Sequence, residues 1–249
     1  MTTIRSEWVK FRSLRSLLAT VVAVIVLTAG LGCLFAYARA RHTDGDAFDP
    51  TAASLSGILL AQIAVCVLGV LTISSEFASG TIRSSLVAVP GRSRLLAAKA
   101  ATLTVVALVI GWAGGLAAFL LGQPLVRGEG VAAASLADPA PVRAVVGAGL
   151  YLTIVALFGL ALGALIRSTA GALTTAIVVL LMVPIFSPAL PDGMAAWVSR
   201  WWPSMAGLRV ATVVPDPAAL GPWEGLSVLA GFVAATLLAA FLGFRRRDV

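Results

Sequence analysis

The sequence predicts an all-α integral membrane protein with six transmembrane helices, and three observations carry that prediction. Of the 249 residues, 59% are hydrophobic and only 12% are charged. Ordinary soluble domains carry about 25% charge, so lipid rather than water is the solvent this composition suits. Six runs without Asp, Glu, Lys or Arg also recur along the chain, each close to the ~20 apolar residues a helix needs to cross a bilayer. Finally, the basic residues collect in alternate gaps between those runs, as the positive-inside rule requires.

The chain reads as one membrane domain over residues 1–249. Residues 3–15 come first, with Ile4, Trp8, Phe11 and Leu14 on one helical face and Arg5, Lys10, Arg12 and Arg15 on the remainder. Such a helix lies in the headgroup layer, with Trp8 and Phe11 as interfacial anchors. A cleaved signal peptide suits the stretch less well. The uncharged run Ser16–Ala38 is far longer than an h-region of about 7–15 residues, although Ala36-Tyr37-Ala38 imitates a cleavage site.

The spans are placed at about 17–37, 55–75, 100–122, 144–166, 171–190 and 225–244. Gln62, in the second, is expected to face protein rather than lipid. Gln123–Arg143, with three prolines, reads as an external loop. Only Arg167-Ser168-Thr169-Ala170 parts the fourth and fifth spans, which predicts a tight antiparallel hairpin. Pro184, Pro188 and Pro191 cannot all sit in one regular helix, so the fifth span should end bent or broken. Residues 192–224 hold four of the six tryptophans. Short helices there would use Trp197, Trp201 and Trp202 as anchors in the outer interface. Gly111–Gly115 and Gly159–Gly163 match G-x-x-x-G, a pattern suited to close helix approach but common by chance in a chain with 24 glycines.

With both termini inside, twelve of the 18 Lys and Arg residues fall on the cytoplasmic side, against Glu7, Glu76 and Asp248. The outside then holds six Arg and eight acids. This distribution accounts for the net charge of +7 without nucleic acid. The place is a cell membrane crossed several times.

Catalytic chemistry has little to work with. His42 is the lone histidine and reads as an exposed loop residue. No H-E-x-x-H, no G-x-S-x-G and no metal-ligand spacing occurs, so neither a catalytic nor a metal site is assigned. Cys33 and Cys66 lie within apolar runs and read as free buried thiols. The spans carry no ionisable acid or base, which disfavours an ion-driven carrier. The chain lacks G-x-x-x-x-G-K-[ST] and so has no ATP-binding loop of its own. Any ATP-derived energy must come from a partner.

The stretch from Glu76 to Lys99 is the most structured polar segment in the chain. Gly80 breaks the second helix and Thr81 can cap a new one. Ile82, Leu86 and Val89 share one face of it, with Arg83 beside them. Pro90-Gly91 ends that helix and Ser93 can cap the third span. A short rigid helix across the mouth of two spans results, presenting apolar and cationic groups. A basic loop that merely fixes topology is the plainer alternative.

The order Glu76-Phe77, Gly80-Thr81, Arg83, Leu86, Pro90, Arg92-Ser93-Arg94, Lys99 resembles the signature of ATP-binding-cassette exporter permeases of the type-2 class. The tail, Leu220-Gly221-Pro222-Trp223-Glu224-Gly225 through Arg245-Arg246-Arg247-Asp248, is similar to those of actinobacterial permeases of this kind. The resemblance implies an N-terminal interfacial helix, a coupling helix between spans two and three, and short re-entrant helices between spans five and six. It implies two permease copies, identical or related, paired with separate ABC ATPase subunits that bind ATP and Mg. Arg83 and the Ile82/Leu86 face would then dock on the ATPase. Glu76 would pair with Arg92, Arg94 or Lys99, while Gly80 and Pro90 set the bends. Export as the direction also follows only from the resemblance. A non-transporting membrane scaffold and an ATP-independent carrier or channel remain compatible with the residues. The small apolar span residues suit a lipophilic drug, antibiotic, peptide or lipid, and equally serve to face membrane, so they single out no substrate.

Overall fold

The computed structural model describes residues 15–42, 48–80 and 92–246. Among these every regular element is helical. Six helices are long and apolar enough to cross a membrane: Val21–Ala40, Pro50–Ala78, Ser93–Gly128, Pro139–Ile166, Thr169–Ala189 and Pro222–Phe244. They are called spans one to six below. The bundle has two ends. At one, the second span finishes at Ala78 and the third helix begins at Arg92; this is termed the connector end. The segment between spans five and six lies at the other, the far end.

The fourth span is the axis of the fold. It is 78% buried, whereas the first and sixth are each 28% buried and the fifth only 17%. Its core residues Tyr151, Leu152, Val155, Ala156 and Leu160 are wholly enclosed. Against it the second span packs most extensively, and small residues set how closely. A Cβ on Gly69 would overlap the carbonyl oxygen of Ala156, and one on Gly159 would overlap that of Cys66. The two backbones therefore touch, the arrangement by which membrane helices gain packing without a hydrophobic driving force. Of the two G-x-x-x-G matches, Gly159 and Gly163 both lie against the second span, while Gly111 lies against Gly149 of the fourth.

Gln62 does face protein. It is fully buried, accepts a 2.5 Å hydrogen bond from the Tyr151 hydroxyl and donates to the Leu59 carbonyl at 2.9 Å. A polar amide deep in an apolar bundle needs such partners.

Several boundaries differ from the sequence reading. The third helix does not stop at Gly122; it runs from Arg92 to Gly128 with Pro124 inside. Proline costs a helix one backbone bond and some steric strain, but here other contacts hold the last turn. Val126 is buried with Ala36, Ala40 and Ala53. Gln123 donates to the Pro50 carbonyl at 3.0 Å and the Ser54 hydroxyl at 2.9 Å, and accepts from the Ala134 amide at 2.7 Å. The expected loop over Gln123–Arg143 thus shrinks to residues 129–138, because the fourth helix already starts at Pro139. Likewise the sixth starts at Pro222 rather than Gly225.

The fifth span breaks as its prolines require. Helix Thr169–Ile177 opens into a π-helical turn over Val178–Met182, continues through Val183–Phe186 and closes in a 3-10 turn at Ser187–Ala189. Two short helices follow, Asp192–Trp201 and Pro203–Leu208, with a 3-10 turn at Arg209–Ala211. Their end is clamped to the bundle at the far end. Asp49 caps the second span by accepting from the Ala52 amide at 2.8 Å, while its other oxygen accepts from Val213 and Val214 at 2.6 and 2.9 Å. From the start of the fourth span, Arg143 donates to the carbonyls of Val210 and Thr212 at 3.2 and 2.7 Å.

Candidate functional site

The connector end brings five spans together around the two roots of the Glu76–Lys99 stretch. The second span carries Glu76 on its last turn, and helix geometry places Thr72 one turn below it. The third helix delivers Lys99 on the face it shares with Leu95, Leu96 and Leu103, all buried. The ammonium of Lys99 lies 2.8 Å from Glu76 Oε1 and 3.1 Å from the Thr72 carbonyl. Only 2% of the Lys99 side chain and 11% of the Glu76 side chain reach the surface.

A lysine this deeply enclosed must be paired, because desolvation of the ammonium is otherwise prohibitive. The carboxylate and the carbonyl supply that pairing. They join the second and third spans at the point where the chain leaves one and enters the other.

Around the pair the remaining spans close in. Thr169, in the first turn of the fifth span, donates to the Ser74 hydroxyl at 2.9 Å. Arg167 ends the fourth span in the left-handed region, with φ of 56°, and its guanidinium stacks 5.4 Å over the Phe77 ring. That stacking offsets part of the cost of a left-handed non-glycine residue. Phe77 in turn meets Phe244 of the sixth span edge-on, ring centroids 6.2 Å apart. The second span's end thus touches its neighbours through an ion pair, hydroxyls and rings.

Other residues singled out from the sequence fall as follows. Gly80 has φ of +69°, a conformation glycine adopts without a steric penalty, just where the chain turns away from the second helix. Arg94 is exposed, and Arg92 opens the third helix. Thr81, Ile82, Arg83, Leu86 and Pro90 lie outside the described residues, as do Trp8 and Phe11. At the far end Trp197 and Trp201 are exposed at 58% and 44%, together with Met194 on the same helical face. Trp202 is half-buried, and its indole donates to the Val179 carbonyl of the fifth span at 2.8 Å.

The sequence reading did not assign roles to Thr72, Ser74, Phe244 or Arg167. The signal for Arg167 was present, since it is the lone charge in a four-residue link between two spans. Among the described residues no cluster of His, Cys, Asp and Glu could hold a metal ion.

Fold and site together define a multi-pass, all-α membrane protein with a buried ion pair at the mouth of spans two and three. The description of the ABC-2 family transporter proteins matches residues 3–187, and the chain belongs to that family. It is therefore the membrane component of an ABC transporter, a class that generally works with an ABC ATPase partner. A comparison with curated proteins found no match.

Proposed function

We propose that this chain is the permease subunit of an ATP-driven exporter, acting as a dimer whose translocation path is opened and closed by separate ATPase subunits. ATP and Mg are bound by those partners. In this reading the Glu76–Lys99 connector is the coupling element, docking on the ATPase through Arg83 and the Ile82/Leu86 face. Both termini lie on the cytoplasmic side of the cell membrane, as the placement of basic residues supports.

The observation that carries this reading is the buried Lys99–Glu76 pair on the Thr72 carbonyl. A flexible topological loop needs no such fixture at its roots. A lever that must deliver force to two spans at once does. In this reading Gly80, at φ of +69°, and Pro90 set the lever's bends, and the exposed Arg94 adds to the cationic surface. Trp8 and Phe11 anchor the N-terminal helix in the cytoplasmic interface, and the exposed Trp197 and Trp201 face the outer one.

The test is co-purification from native membranes under mild extraction. Wild-type chain should bring down an ATPase subunit in near-equal amounts, and Arg83→Glu should lose it while remaining in the membrane. Wild-type chain arriving alone would overturn the coupling reading and favour a carrier or scaffold.

A further inference from the structure

The fifth span is the least buried of the six, and its irregular stretch leaves a backbone acceptor in an unusual position. Within the π-helical turn the Val183 amide donates to the Val178 carbonyl, five residues back. By the same register the Val179 carbonyl would accept from residue 184. That residue is proline and has no N–H to give. The four-residue alternative is also spent, because the donor at Val183 is the one already on Val178. Val179 thus loses both of its ordinary helical donors.

An unmet carbonyl in an apolar layer is costly. The group that meets it is the indole N–H of Trp202, 2.8 Å away, from the turn between the two short far-end helices.

The placement has a mechanical consequence. Downstream of Trp202, the Val210–Val214 stretch is held to the second span by Asp49 and to the fourth by Arg143. Trp202 is therefore where a segment fastened to the core takes hold of the fifth span at its hinge. Beyond that hinge, Ile185 and Phe186 are exposed at 59% and 62%, while Ser187 is buried.

We propose that Trp202 is a positioning residue for transport. Its indole stands in for the backbone donor that Pro184 lacks, and so stiffens the π-helical turn from which the outer half of the fifth span, Val183–Ala189, extends. Release of this one hydrogen bond lets that half swing on the π-helical turn. The proposal rests on the permease reading for its purpose but not for its geometry.

A thiol experiment tests both layers. Ser187→Cys is introduced into a chain with Cys33→Ala and Cys66→Ala, and reaction with a membrane-impermeant maleimide is timed in native membranes. A buried thiol reacts only when its segment opens, so the rate follows the open population. Trp202→Phe keeps an aromatic ring and removes the N–H. It should raise the rate roughly threefold to fivefold, the change expected for one net hydrogen bond.

Pro184→Ala restores an amide, giving Val179 an intrahelical donor whether the turn stays π or reverts to α. In that background Trp202→Phe should leave the rate unchanged. Equal rates in wild type and Trp202→Phe, or the same rise in both backgrounds, would overturn the lock. ATP with vanadate should change the rate in wild type and in Pro184→Ala/Trp202→Phe but not in Trp202→Phe alone. A response in Trp202→Phe matching the wild type would overturn the positioning role. A wild type indifferent to ATP, with the Trp202→Phe rise still dependent on Pro184, would overturn the permease reading and leave the lock standing.

Discussion

Lys99 shows how little charge is needed when it is placed where water is not. The ammonium is held by Glu76 at 2.8 Å and by the Thr72 carbonyl at 3.1 Å. Removing one member of such a pair typically costs about 3 to 5 kcal/mol, because the other stays buried. Replacing both by apolar residues of similar size is often neutral or better. We expect Lys99→Met to lower the thermal unfolding midpoint of the detergent-solubilised protein sharply. Glu76→Leu/Lys99→Met should return to within a few degrees of wild type. Two single-variant losses that simply add in the double variant would show that the residues do not act as a pair. The sequence offered Arg92, Arg94 and Lys99 as candidates for Glu76, and residue type could not choose among them. Helical phase carries the distinction, since Lys99 falls in step with buried Leu95, Leu96 and Leu103, whereas Arg94 is exposed.

Contacts between helices follow from small residues more than from large ones. Gly69 and Gly159 bring the second and fourth spans to backbone contact, and the Tyr151–Gln62 hydrogen bond fixes their register. Gly159→Leu would drive a side chain into the Cys66 carbonyl. It should cost about 3 kcal/mol, at the upper end of overpacking, and a solubilised variant melting with the wild type would refute this packing. The existence and order of the spans could be read from uncharged runs, but their ends could not. Proline at 124 reads as a stop until Val126 is seen to bury itself beside Ala36, Ala40 and Ala53. The prolines of the fifth span did announce a broken helix, since three fixed φ angles and three missing donors cannot be absorbed locally. What the pattern lacked was the remedy, because Trp202 reaches Val179 across 23 residues of chain and no local periodicity encodes that.

At the scale of the molecule, the two ends of the bundle are built differently. The connector end is tied by an ion pair, hydroxyls, a guanidinium over a ring and an edge-on ring pair that link spans two to six. The far end is tied mostly by side chains bonded to backbone, with Asp49, Gln123, Arg143 and Trp202 each holding a neighbouring segment. Between them the fourth span is the buried axis, and the sparsely buried first, fifth and sixth spans leave apolar faces exposed. Composition alone was enough to identify a membrane bundle. Its membership of the ABC-2 family rests on the match over residues 3–187.

The central claim is that the roots of residues 81–91 carry force from an ATPase into spans two and three. ATP hydrolysis by the co-purified complex in lipid nanodiscs, wild type beside Glu76→Leu/Lys99→Met, tests it most directly. The double variant keeps the buried volume and should stay folded and bound to the ATPase subunit. The account predicts that its hydrolysis falls by about tenfold, as for loss of an interaction of ~1.4 kcal/mol in the driven step. Wild-type hydrolysis in that variant would contradict the account and reduce the pair to a fixture of the fold.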